Sequence, residues 1–223
     1  WGVHVIHWLE SVDSTNRWAL EARLALWDAV VAREQTEGRG RRGRYWKSPP
    51  GGLYMSIVVE NEPLLPLRAG LATRDALQLH CPGRIGVKWP NDLLCDGAKL
   101  GGVLCEAESD RAVAGIGVNL EGDSPVGGAT TLEVVGGSLP PAADWQTCIK
   151  PLTIAIITSL QRLVQLPAPE FLARYRLHEQ LLGKPVAWDG GHGTALSIGT
   201  DGALEVRTAT GEVRLYAGEV SLA

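Results

Sequence analysis

The chain has 223 residues, 45% of them hydrophobic, a formal net charge of -4 and a sequence isoelectric point near 5.8. That length supports one sizeable core or a main domain with an appendage, and the acidic balance argues against a molecule that binds nucleic acid over its whole face. Cys81, Cys95, Cys105 and Cys148 form no C-x-x-C pair and show no zinc-ligand spacing, so reduced, buried thiols of a cytoplasmic protein are expected. The start of the chain lacks the basic residues and apolar run of a signal peptide, and no stretch is apolar enough to span a membrane. Trp1 stands where a Met is usual, which leaves an upstream segment open.

Residues 3–9 read as a strand, and the run Asp13-Ser14-Thr15-Asn16 then supplies N-cap residue types before a helix that should begin near Ser14. These short polar side chains fit simple capping; they also fit a strand-to-helix junction offering donors to a ligand. Residues 29–34 read as a buried strand that delivers Gln35 into Gly38-Arg39-Gly40-Arg41-Arg42-Gly43-Arg44-Tyr45-Trp46. The glycines permit positive φ and close approach, and the arginines bring forked donors matched to carboxylate and phosphate oxygens. On its own the segment fits a nucleic-acid-binding RGG-like stretch as well as a small-anion loop. Gly52 opens the next strand, so the loop hangs between two strands and is longer than an ordinary connection, which favours a lid.

Residues 66–80 carry apolar residues at helical spacing and are stopped by Pro82-Gly83. The strand that follows places Lys88 just before Trp89-Pro90-Asn91-Asp92, where an amine is either an edge charge or a fixed charge aimed into a site. Asp96-Gly97 signals a hairpin into Lys99-Leu100-Gly101-Gly102, and Ser109-Asp110 turns into a strand with Gly115, Gly117 and Asn119. Paired glycines on neighbouring strands fit a platform for a flat ligand, or else bulges. Residues 144–164 read as a helix capped by Asp144 and kinked at Pro151, and a second helix should run from Pro169 to Gly183. Residues 121–137 are Gly-rich and unreadable in detail. From Lys184 onward short alternating segments separated by turn signals predict a small antiparallel barrel or sandwich. The expected organisation is a domain over residues 1–180 followed by a small domain over 181–223.

No G-x-x-x-x-G-K-[ST], G-x-S-x-G or H-E-x-x-H pattern occurs, and the histidines are scattered, so no metal ligand is assigned. With no obvious nucleophile, positioning and charge neutralisation are the expected means of catalysis, as in displacement at phosphorus.

Taken together, Asp13-Ser14-Thr15-Asn16, Gln35 with the Arg/Gly loop and Trp46, Lys88-Trp89-Pro90-Asn91-Asp92-Leu93, Lys99-Leu100-Gly101-Gly102, Gly115 to Asn119 and the closing Ala217-Gly218-Glu219-Val220-Ser221-Leu222 resemble the biotin protein ligase family over nearly the whole chain. The resemblance implies an α+β fold: a mixed sheet flanked by helices, related to class II aminoacyl-tRNA synthetases, then an SH3-like barrel. It implies an ATP-dependent, Mg2+-requiring enzyme that makes biotinyl-5′-AMP and passes biotin to a lysine of a biotin carboxyl carrier protein, such as an acetyl-CoA carboxylase subunit. It places biotin on Ser14, Thr15, Asn16, Gln35, Gly38, Arg39, Gly40, Arg41, Lys88, Gly102 and Gly115. ATP or the adenylate would meet Arg41, Arg44, Trp46, Lys88, Asn91, Lys99 and Asn119, with Lys88, Arg41 and Arg39 catalytic. No helix-turn-helix precedes Trp1, so the single-function form without DNA as a partner is implied, as a monomer or homodimer. Cys105 stands where an apolar residue is usual in the family.

Overall fold

A computed structural model describes residues 4–122 and 127–223. Chain order begins with strand β1 (Ile6–Val12), helix α1 (Thr15–Glu21), β2 (Ala29–Gln35) and β3 (Gly52–Glu60). Strand β1 runs parallel to β2, with Ile6 opposite Ala29 and Val12 opposite Gln35. That register moves the strand later than residues 3–9, because β2 fixes where its partner ends; Val3 itself lies outside the described residues.

Helix α2 (Leu65–Gln78) is followed by β4 (Ile85–Lys88), β5 (Asp92–Cys95), β6 (Ala98–Glu108) and β7 (Arg111–Asn119). The sheet order is β1-β2-β3-β7-β6-β5-β4, with every pair after the first antiparallel. Asp96 and Gly97 take φ of 48° and 86°, the left-handed pair that a tight hairpin requires and an Asp-Gly dipeptide supplies. Strand β3 is buried along all but its last residue, as expected for a strand covered on both faces. On one face, Val31, Met55, Ile57 and Ile116 join α2 and helix α3 (Trp145–Val164) in the main core. On the other, Val30, Val58 and Val113 pack beneath Ala19 of α1.

Asp144 caps α3 by accepting from Thr147 N at 2.9 Å. The helix is continuous through Pro151. Helix α4 (Ala168–Arg176) stops well short of Gly183. Its extension is replaced by a backbone interaction: Val87 N donates to His178 O, and Gln180 N donates to Val87 O, both at 2.9 Å.

The last five strands, β8 (Pro185–Trp188), β9 (Gly191–Ile198), β10 (Leu204–Thr208), β11 (Gly211–Leu215) and β12 (Val220–Leu222), form a second antiparallel sheet in the order β11-β10-β9-β8-β12. Among the described residues β11 and β12 are edges that do not pair with each other, so the small barrel is an open sheet rather than a closed ring. The indole of Trp89, 1% exposed, donates Nε1–H to Gly202 O at 2.9 Å and ties this sheet to the turn beside Lys88.

Candidate active site

The C-terminal end of β2, the start of α1, the Arg/Gly segment and strands β4 to β7 enclose a cavity of about 470 Å³. Of the residues singled out from the sequence, Ser14, Thr15, Asn16, Gln35, Arg39, Gly40, Arg41, Arg44, Trp46, Lys88, Asn91, Lys99, Gly102 and Gly115 line it. Gly38 and Asn119 do not. Gly38 is buried under the flap, where a Cβ would meet Trp46 O at 2.2 Å, so it permits a close backbone approach. Asn119 turns away and donates Nδ2–H to Thr130 O.

One end of the cavity is neutral. Ser14 is the N-cap of α1 but makes no side-chain capping bond, which removes the simplest structural account of its hydroxyl. Thr15 donates through both N and Oγ1 to Gln35 Oε1, at 2.9 and 3.0 Å. Gln35 in turn donates Nε2–H to Ser48 Oγ. Asn16 donates to Leu104 O at 3.1 Å and Glu106 Oε2 at 2.8 Å, and its Oδ1 accepts from Ser56 Oγ at 2.6 Å. The rotamers of Thr15, Asn16 and Gln35 are each held by a second group, so this end is shaped by the protein itself.

The other end is cationic. Arg39, Arg41, Arg44, Lys88 and Lys99 line the cavity against two carboxylates, Asp92 and Glu219. In a chain of net charge -4 this is a strong local reversal of sign, suited to a ligand carrying several negative charges. Lys88 ends β4 directly opposite Asp92 on β5, with Nζ 3.8 Å from Oδ2; Lys99 Nζ lies 2.6 Å from Oδ1 of the same group. Arg41 donates to Asn91 Oδ1 at 3.1 Å, and Asn91 donates to Val103 O. Burial, then the neighbouring Arg42, hold the Arg41 pKa below its ordinary value, with Asp92 opposing. Arg39 pairs with Glu106 at 3.0 Å.

The Arg/Gly segment is a folded flap. Trp46 N donates to Gly38 O, Gly40 N donates to Arg44 O, and Arg39 bridges Tyr45 across it. Its tip puts Arg42 at φ 57° and Gly43 at φ 70°, a left-handed pair that explains glycine at the second position. Arg44 reaches Glu219, just before β12, at 3.1 Å.

The paired glycines receive side chains of the protein. A Cβ on Gly115 would sit 2.2 Å from Asn16 Oδ1, and one on Gly117 would sit 2.6 Å from Trp46 Nε1. Gly102 faces the cavity with only ordinary contacts. The platform reading is therefore sharpened: two glycines admit Asn16 and the Trp46 indole, and one leaves open floor.

Four participants were not singled out from the sequence: Asp92, Glu106, Glu219 and Ser56. Asp92 had a legible signal, an acid opposite Lys88 across a tight turn. Ser56 and Glu106 had none, since only the fold brings them against Thr15, Asn16 and Arg39, and Glu219 stood in the closing motif without an assigned role. Cys105 lies on the neighbouring cleft shared with Arg41, and burial pushes its thiol up to about 12.

The fold and cavity define a class: a mixed-sheet enzyme core in which a hydrogen-bonding pocket opens into a cationic, flap-covered chamber. The sequence profile of the biotin/lipoate A/B protein ligase family matches residues 8–123. A curated biotin--[acetyl-CoA-carboxylase] ligase of Paracoccus denitrificans is 34% identical over 95% of this chain and 98% of its own. Among solved structures, the Aquifex aeolicus biotin protein ligase in complex with biotin and ATP superimposes with a TM-score of 0.83 at 30% identity, covering 99% of both chains. The Leishmania major biotin protein ligase in complex with biotinyl-5-AMP gives 0.68 at 31% identity over 97% of this chain and all of the other. The chain belongs to the biotin/lipoate A/B protein ligase family.

Proposed function

We propose that this protein is an ATP-dependent biotin protein ligase that activates biotin as biotinyl-5′-AMP and transfers it to a lysine of a biotin carboxyl carrier protein. The observation that carries the reading is the continuity of a neutral, pre-bonded pocket with a five-cation chamber inside one cavity. Biotin has that polarity, with a neutral ureido ring at one end and a carboxylate at the other. Ser14, Thr15, Asn16 and Gln35 would surround the ring, with Gly40 and Gly102 giving it room and Gly115 leaving the space that Asn16 fills.

The first step joins two anions. A carboxylate oxygen of biotin attacks the α-phosphorus of MgATP, the bond to the bridging oxygen breaks, and pyrophosphate leaves. Arg39, Arg41 and Lys88 would hold the carboxylate and α-phosphate together and offset the charge that spreads over the equatorial oxygens. Lys88 is assigned the central role because β4 and β5 fix it beside Asp92. Arg44, Asn91 and Lys99 would face the phosphates and ribose, and the Trp46 indole would take the adenine. Magnesium would arrive on ATP, held by the phosphate oxygens, since the Asp92 oxygens already face Lys88 and Lys99 and Asn91 Oδ1 accepts from Arg41. In the second step the neutral amine of the carrier lysine attacks the acyl carbon, AMP leaves, and the amine loses a proton. A closed flap would slow hydrolysis of the anhydride in the interval.

Residues 1–180 are read as the catalytic domain and 181–223 as the C-terminal domain, a division supported by the separate second sheet. An acetyl-CoA carboxylase subunit or similar carboxylase is the proposed carrier source. Among the described residues no helix is long and apolar enough to cross a membrane, which accords with the cytoplasmic placement we propose.

Exchange of labelled pyrophosphate into ATP, measured with biotin, with lipoate and with neither, tests the reading. Biotin-dependent exchange is expected; exchange that follows lipoate and ignores biotin would overturn it.

A further inference from the structure

Strand β4 is the last strand of the large sheet, yet its outer edge is covered among the described residues. Residues 178–180 lie parallel to it: His178 O accepts from Val87 N, and Gln180 N donates to Val87 O, in one step of a parallel ladder centred on Glu179. If that ladder continued, the next outward group of β4, the N–H of Trp89, would bond to the carbonyl of Gln180. The chain turns away into the second sheet instead. Glu179 Oε1 takes the missing acceptor's place, 3.0 Å from Trp89 N. Its Oε2 accepts from Leu181 N at 2.6 Å and Leu182 N at 2.8 Å, capping the turn that leads to β8. Burial pushes the Glu179 pKa up, while the backbone donors pull it down.

The bond to Trp89 N fixes the peptide plane between Lys88 and Trp89. Lys88 hangs from that plane, at the point where β4 ends: β5 holds its inner side through the pairing with Asp92, and the Glu179 carboxylate holds the outer side. The Trp89 indole adds a further tie through its bond to Gly202 O. A one-ångström drift of the Lys88 backbone would carry its amine out of line with a reacting phosphorus, and displacements of that size can cost about a hundredfold in rate.

We propose that Glu179 is a positioning residue for Lys88, clamping the end of β4 to the junction of the two sheets so that the amine is aimed at the reacting phosphorus. The inference rests on the assignment of Lys88 as the central cation. The two oxygens divide the labour: Oε2 serves local structure, and Oε1 reaches across to the site.

That division supplies the test. In Glu179→Asp the shorter carboxylate still caps the N–H groups two and three residues on, but falls a methylene short of Trp89 N. In Glu179→Gln the amide oxygen keeps the cap and the NH2 group faces the Trp89 N–H, donor against donor. Both full-length variants are compared with the parent by thermal denaturation and by biotin-dependent pyrophosphate exchange. The expected result is near-parental melting, a KM for biotin within about twofold, and a kcat lower by roughly ten- to a hundredfold, the split of a misaimed group rather than lost binding. Parental kcat in Glu179→Asp would overturn the proposal, as would failure of both variants to fold or a loss confined to KM. Lys88→Ala run alongside separates the two ideas: if it exchanges normally, the assignment of Lys88 is wrong, whatever the Glu179 variants do.

Discussion

The two ends of the cavity are built on opposite principles. At the neutral end Thr15, Asn16 and Ser56 are between 0% and 4% exposed, and their amide and hydroxyls bond to one another or to Gln35 before any ligand arrives. At the cationic end the Arg39 and Arg44 side chains are 49% and 57% exposed, and each is paired with a carboxylate that a substrate anion could replace. The Arg44–Glu219 pair, exposed on both sides, is worth about 0–1 kcal/mol, so exchanging it for phosphate is cheap, whereas an orphaned buried amide costs about 1–3 kcal/mol. The neutral end should therefore set which ring is accepted, and the cationic end should set the rate and hold the intermediate.

Lys88→Ala should break the comparison hardest at the charged end. The lysine is only 19% exposed at its side chain and shares Asp92 with Lys99, so removing it takes away a fixed charge while leaving the second lysine to neutralise the carboxylate. Biotin-dependent exchange should fall by at least about a hundredfold, with the fold retained by circular dichroism. Near-normal turnover would remove Lys88 from its role.

Gly115→Ala tests the neutral end. The added methyl would lie 2.2 Å from Asn16 Oδ1, below any normal contact, so Asn16 must leave its bonds to Glu106 and Ser56. Because the damage falls on binding of the ring, KM for biotin should rise about tenfold while kcat changes little. A fall in kcat at unchanged KM would mean that the two ends are not separable in this way.

The same contrast separates what the sequence disclosed from what it hid. Strand and helix identities were legible because β2, β3 and α3 carry unbroken apolar patterns, and Asp96-Gly97 names its own turn. The cationic end was legible too, since a run of arginines and a lysine before a proline stand out in composition. Long-range partners were hidden. Ser56 reaches Asn16 from forty residues away and Glu106 reaches Arg39, and neither has a local pattern to mark it. The end of α4 was misplaced because the backbone of 178–180 is claimed by β4, a tertiary bond that overrides helical propensity. The glycine pair at 115 and 117 was legible as a close approach, but not what approaches: Asn16 and Trp46 rather than a ligand.

The smallest expected effect concerns the flap. Arg44 and Glu219 form the bond between the flap and the segment leading into β12, and both side chains are more than half exposed, at 57% and 62%. The flap's other anchors survive loss of this pair: Trp46 N on Gly38 O and the Arg39–Tyr45 bridge within it, and Arg39 on Glu106 and Arg41 on Asn91 at the sheet. Glu219→Gln should thus leave adenylate formation intact and loosen only retention, raising the rate at which bound adenylate dissociates by no more than about fivefold. The signature is salt dependence. Screening weakens an exposed ion pair in the parent but finds little to weaken in the variant, so the two dissociation rates should converge as salt is raised. A difference that persists at high salt would mean that Glu219 acts on the adenylate itself, as a carboxylate of the charged end rather than as the flap's fastening.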